Sequence, residues 1–270
     1  MEIKKLDYRI IIVLLIYYIL NMLLGNYLFT TEIFNPIIYY TNGIINATFV
    51  ANLIGLAGSL FIIFIIGKHN LGSIWFNKQK LKIAILLIIS IWLISQVFII
   101  AVSYYNTREI IFIQNFNIIA GNIIGQFFGN SLLEEIIFRG ILLIQLYLIF
   151  IAKYSNKMTI IYSLAASAII FVLFHIPNRI LTYTPDNLVI DTVSLLFGST
   201  LLGIIFLKTK NLPFVIGFHS LVNYPSNIIV TNIPTELIIF ALVIIITLKW
   251  DKIIGKETEY LLPTVEPQKV

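Results

Sequence analysis

Residues 82–104 read KIAILLIISIWLISQVFIIAVSY, a run whose single charge, Lys82, stands at its edge. A helix crosses the hydrocarbon core of a bilayer with roughly 20 apolar residues, so this run predicts a transmembrane helix. Comparable runs lie at 10–29, 47–67, 117–152, 158–175, 189–207, 212–230 and 234–249, about eight spans in all by the same criterion. The first follows Lys4, Lys5 and Arg9, is too long for the apolar core of a signal peptide, and has no small-residue cleavage pattern after it. It reads as a retained anchor. The expected fold is all-α, a polytopic transmembrane helical bundle. Residues 1–250 are expected to form a single transmembrane domain and residues 251–270, with Pro263 and Pro267, a flexible polar tail.

Composition leads the same way. Of 270 residues, 59% are apolar and 11% are Asp, Glu, Lys or Arg, whereas soluble chains average about 25% charged residues. That supply cannot cover a water-facing surface, and the apolar content excludes disorder. The formal charge is +5, but the basic residues stand in small scattered groups, which excludes a nucleic-acid binder. They orient the chain instead. All basic residues except Arg108, Arg139 and Arg179 fall on one side of the predicted spans. By the positive-inside rule that side, with both termini, is cytoplasmic. Cysteine is absent, which removes disulfides, Cys-ligated zinc and thiol chemistry. The bias toward lysine and isoleucine suggests an AT-rich genome, and so a multi-pass protein of a bacterial cell membrane.

Scarcity of charge makes its exceptions visible. SLLEEIIFRG, residues 131–140, sets Glu134, Glu135 and Arg139 inside an apolar run. Each costs about 2.5–3.5 kcal/mol at the centre of a membrane helix, so such groups face a polar cavity or one another. Glu135 and Arg139 stand at i, i+4 with the acid first, the favourable order for an ion pair. Glu134 projects about 100° away and has no local partner; an unpaired carboxylate in a low dielectric suits general acid–base work. A buried charge network that only locks helices together would use the same residues.

Of the three histidines, His69 lies beside Lys68 in a basic loop and is expected to be solvated, while His175 and His219 fall in predicted spans. His219 and Asn223, again i, i+4, face one cavity a turn apart, and Asn227 continues that face or caps the helix. Asp191 and Ser194 read as interfacial or capping residues at the start of a span. Ser131 reads as an N-terminal cap or helix contact rather than a nucleophile. His-Glu-x-x-His is absent, which argues against a zincin-type site, although two His and a Glu satisfy a metal's donor needs in principle. No metal and no cofactor are expected.

Glu134-Glu135-x-x-x-Arg139, Phe171-x-x-x-His175 and His219-x-x-x-Asn223 occur in that order, each in a predicted span. Together they resemble the CPBP family of intramembrane proteases, which includes the Rce1-like CAAX prenyl endopeptidases and bacterial Abi proteins. The run from Gly203 to Asn223, with Lys210-Asn211-Leu212-Pro213 ahead of the histidine helix, is similar to the family's third conserved stretch. The resemblance covers about residues 120–227 and leaves the first three spans without a motif. It implies an Rce1-like core and a metal-independent, glutamate-type endopeptidase. Glu134 would activate a water, His175 would position or polarise it, and His219 with Asn223 would stabilise the oxyanion. Glu135 and Arg139 would hold the motif helix. The implied partners are the lipid bilayer and a peptide or membrane-protein substrate, in a bacterium one tied to bacteriocin self-immunity or peptide maturation. Two other classes keep Glu, Arg and His in membrane helices: a non-catalytic scaffold or immunity partner, and a proton-coupled transporter. The transporter predicts inverted repeats, and no internal symmetry is visible.

Depth poses a geometric problem. Glu134 lies about 28 Å along an ideal helix from Lys153, whereas His219 lies only about 13 Å from Lys210. With both lysines at the cytoplasmic surface, straight perpendicular helices cannot bring the two residues together. The segment 117–152 is therefore expected to extend past the bilayer or to break.

Overall fold

The structure, a computed structural model, describes residues 5–70, 76–182 and 184–255. Eight helical rods organise them: α1 (Tyr8–Phe29), α2 (Ala47–Ile66), α3 (Lys78–Thr107), α4 (116–150), α5 (Asn156–Thr182), α6 (Pro185–Thr209), α7 (Leu212–Asn223) and α8 (Thr235–Leu248). Five of them, α1, α2, α3, α5 and α6, carry stretches long and apolar enough to cross a membrane. Among the described residues the one extended pairing is an antiparallel bridge, Phe112 with Ile229, between the chain after α3 and the chain after α7. Outer helices leave apolar side chains bare, such as Ile16 and Leu20 on α1 and Val193 and Phe197 on α6. Water would not tolerate patches of that extent; lipid does. The expected all-α transmembrane bundle is the fold observed.

Short polar side chains start the rods. Asp7, Asn46, Asn77, Asn115 and Asn211 each accept a hydrogen bond from a backbone N–H of the first helical turn, covering donors that a helix leaves orphaned. Asn46 does more: its amide donates to the Gly121 carbonyl at 2.9 Å and to Asn122 at 3.1 Å, so the start of α2 is tied to α4.

The core is formed around α4 and α7. Residues 136–145 of α4 and Leu212 to Leu221 of α7 are buried without interruption. Such helices are packed by protein on every side, which is why their sequences are apolar all round rather than striped. α4 is not a uniform α-helix: residues 125–131 and 136–143 widen into π turns on either side of the short α segment Leu132–Glu135. π turns collect at functional positions.

Several expectations need correction. The seventh run does not continue to residue 230, because α7 stops at Asn223. Pro225 explains the stop: it disfavours helical backbone at the residue before it, and Tyr224 is extended at φ −151°, ψ 99°. Asn227 consequently caps nothing and lies in the extended chain beyond. α5 runs past His175 to Thr182 with Pro177 inside it. His69 is not solvated; it is buried, its N–H on the Ile63 carbonyl as the chain turns at Lys68 with φ +53°. Ser131 is interior to α4 and fully buried, so of its two readings the helix contact stands. Asp191 lies inside α6 and pairs with Arg179 of α5 at 3.1 Å rather than capping. Trp250 and Asp251, at the expected start of the polar tail, belong to a short helix, Trp250–Ile253. Trp250 is buried against Phe214, and Asp251 pairs with Lys208. Residues 256–270 of that tail, and Lys4, lie outside the described residues.

Of the two outcomes expected for segment 117–152 the break is absent, since α4 is one continuous rod. The turn at Lys210 is tied to the start of α3. Lys210 is only 8% exposed and Asn211 only 1%; Lys210 adopts left-handed backbone, φ 48°, and its carbonyl accepts from Lys80 Nζ at 2.7 Å. Asn211 returns a bond to the Lys80 carbonyl at 3.1 Å. The turn before α7 is thus buried among protein groups at the end of the bundle where α3 begins. α7 is a partial helix, 12 residues long and about 18 Å, and it packs on α3. Gly217 lets the two approach: a Cβ there would lie 2.5 Å from Ile88 Cγ1.

Candidate active site

Adjacent residues on α4 face different neighbours. Glu135 turns toward α6 and α7, where it is fully buried. Its Oε1 accepts from Arg139 Nη1 at 2.9 Å and stands 2.7 Å from His219 Nδ1. Arg139, 1% exposed, donates through Nη2 to both the carbonyl and the hydroxyl of Ser199, each at 2.9 Å. Its guanidinium also lies 4.9 Å from the centre of the Phe171 ring, near enough for a cation–π contact. The predicted Glu135–Arg139 pair is present, and it pins α4 to α5, α6 and α7 at once.

Glu134 turns toward α5 and α7. Its Oε1 is 3.4 Å from His175 Nε2 and its Oε2 is 3.7 Å from His219 Nε2. The far side of each ring fixes the tautomer. His175 Nδ1 lies 2.8 Å from the Phe171 carbonyl, which only accepts, so Nδ1 carries the hydrogen. His219 Nδ1 faces the Glu135 carboxylate and donates for the same reason. Both Nε2 atoms therefore point at Glu134. Neutral rings of this tautomer present lone pairs there, and lone pairs facing an ionised carboxylate repel unless a proton lies between them. One such proton also balances the buried charge: Glu134 and Glu135 supply two negatives and Arg139 one positive. Buried charge left uncompensated is costly, and one proton among Glu134, His175 and His219 would balance it.

Two cavities meet this cluster. One, of about 230 Å³, reaches Glu134 and His175 and is lined from α1, α2, α4 and α5. The other, of about 280 Å³, reaches His219 and Asn223 and is lined from α5, α6, α7 and α8. His219 and Asn223 thus share one cavity, as their spacing predicts. Asn223 is exposed and does not reach Glu134; its amide donates to Gln126 Oε1 at 3.2 Å.

Five of the six expected residues, Glu134, Glu135, Arg139, His175 and His219, are gathered in one cluster, and Asn223 stands a turn away. Sequence reasoning missed Ser199, Phe171 as a contact of the guanidinium, Gln126, and the whole contribution of α1 and α2. A lone Ser or Gln in an apolar run carries no pattern. The asparagines of α1 and α2 were the available signal, since polar side chains in membrane helices seldom lack a partner. No group of three or more His, Cys, Asp or Glu side chains among the described residues has the geometry to hold a metal.

Fold and site together define a helical membrane protein with a buried carboxylate–imidazole cluster open to two cavities. Residues 116–225 match the family model described as type II CAAX prenyl endopeptidase Rce1-like, and they form an Rce1-like domain. That family implies intramembrane protease activity of the CAAX type. No curated protein and no solved structure matches the chain.

Proposed function

We propose that the protein is a metal-independent, glutamate-type intramembrane endopeptidase. The observation that carries this reading is Glu134 held between two imidazole Nε2 atoms at the meeting of two cavities. With a proton on His219 Nε2, Glu134 is ionised and acts as general base. A water oxygen bonds to the scissile carbonyl carbon as Glu134 takes the water's proton. The resulting oxyanion accepts from His219 Nε2–H and from the second N–H of Asn223, the first being engaged by Gln126; such donors contribute about 2.7–4 kcal/mol each. The C–N bond then breaks and the proton on Glu134 passes to the departing amine nitrogen. Glu135, Arg139 and Ser199 keep His219 oriented.

The lysine-rich loops support cytoplasmic termini. In a bacterial membrane the substrate is a peptide or membrane protein, in bacteriocin self-immunity or in peptide maturation. The test compares wild type with Glu134→Gln in vesicles, using a farnesylated CAAX peptide, its unprenylated counterpart and the secreted and membrane peptides of the expressing strain. Peptides released by wild type and absent with folded Glu134→Gln support the assignment; full proteolysis by that variant overturns it.

A further inference from the structure

The cavity beside Glu134 and His175 is lined by an unusual set of side chains. Asn21 and Asn26 come from α1, Asn52 from α2, Gln126 and Asn130 from α4, and Asn178 from α5. α1 and α2 lie outside the Rce1-like domain. Apart from Glu134 and His175, no residue of this lining carries a formal charge at neutral pH. Carboxamides take no part in proton transfer and cannot neutralise an ion. What each offers is two N–H donors and one carbonyl acceptor, the same groups that a peptide main chain presents in mirror. The donors are not all spent internally: Asn26 Nδ2 is buried with no hydrogen-bond partner among the described residues. Asn21 fills the space left open by Gly55, where a Cβ would lie 2.3 Å from its Nδ2.

A substrate arriving through lipid comes as a helix, whose main-chain groups are bonded to one another. Hydrolysis requires that the scissile carbonyl be presented outside that helix, and the turn that opens leaves N–H and C=O groups unpaired. In a water-poor setting each unpaired group costs about 1–3 kcal/mol. A cavity of about 230 Å³ is too narrow for a helix about 10 Å across, but it admits a strip of extended main chain. The geometry points to a binding site for the unwound backbone of the substrate, in which the carboxamides of α1, α2 and α4 take up the hydrogen bonds that unwinding exposes and lay the chain against Glu134. The occupant is an extended peptide with small or neutral side chains, entering beside the catalytic carboxylate. This rests on the protease reading for the reason a chain must unwind.

The test uses the full chain carrying Glu134→Gln in phosphatidylcholine–phosphatidylglycerol vesicles, so that binding is read without cleavage. Two synthetic membrane-spanning peptides of equal length serve as probes, one a continuous Leu/Ala helix and the other interrupted at its centre by Gly-Ser-Gly, each with a benzophenone beside the centre. The interrupted peptide is expected to cross-link about tenfold more, with adducts on α1 and α2, as one or two hydrogen bonds allow. Asn26→Leu with Asn52→Leu should remove that excess. Gly55→Ala is the second variant: it displaces Asn21 by meeting the tip of a flexible side chain, leaves the lining composition intact, and should also lower the excess. Equal cross-linking of the two peptides, or an excess that survives both variants, overturns the site. Selective cross-linking without any cleavage by wild type would sink the protease reading and leave the site standing. Cleavage lost with Glu134→Gln but unselective cross-linking would do the reverse.

Discussion

The two cavities that meet at Glu134 and His219 differ in what they are made of. The one on the His175 side is walled by carboxamides from α1, α2, α4 and α5. The one on the His219 side is walled mainly by Phe171, Leu195, Leu202, Phe218, Val222 and Phe240. Between them stands a partition of Glu135, Arg139, Ser199 and His219, every member hydrogen-bonded. A polar wall satisfies main chain, whereas an apolar wall gains from burying side chains at about 25 cal/mol per Å². The proposed division of labour is that backbone is handled on one side and side-chain choice on the other, with the reacting carboxylate at the border.

Loss of the border group should have the largest effect. Glu134→Gln is expected to lower peptide hydrolysis by about 10²–10⁴-fold, the range of a general base, with unchanged gel-filtration behaviour in detergent. Next comes the partition. Arg139→Leu strands the Glu135 carboxylate in the core, and breaking a buried pair in this way costs about 3–5 kcal/mol; a thermal unfolding curve unchanged from wild type would show that the partition does not hold the helices. His219→Ala removes the proposed oxyanion donor, for which about 10²–10³-fold in kcat is expected, while His175→Ala should cost less because it touches only the cavity on the α1 and α2 side. Leu202→Phe narrows the apolar cavity alone. Substrates with a large side chain should lose relative to those with a small one by about 10–200-fold in kcat/KM, and equal losses would separate that cavity from specificity. Last, His69→Asn should leave cleavage unchanged, since His69 packs at the end of α2 and reaches neither cavity.

The halves of this comparison were unequally legible in the sequence. Glu135 with Arg139, and His219 with Asn223, were visible because i, i+4 spacing fixes a shared helix face whatever the tertiary context. That His219 would lean on Glu135 was not, since it depends on how α7 packs on α3 and α4, and the bonds between Lys80 and the turn at Lys210 that help to place it join residues 130 positions apart. The helical fold was legible from apolar run length. The early end of α7 was also readable, because Pro225 was in plain view; apolarity of residues 226–230 outweighed it. The chamber was the least visible part. Its asparagines are spread over four helices at no common spacing, and only packing assembles them.

The 12 residues of α7 are too few to span a hydrocarbon core that takes roughly 20. A segment that short gains little by entering lipid alone, so it takes its place only once α3 and α4 provide walls for it. During biogenesis the histidine therefore arrives after the carboxylate. On the protease reading, a half-made chain carries Glu134 without His219 and lacks the proposed hydrolytic centre until α7 is docked.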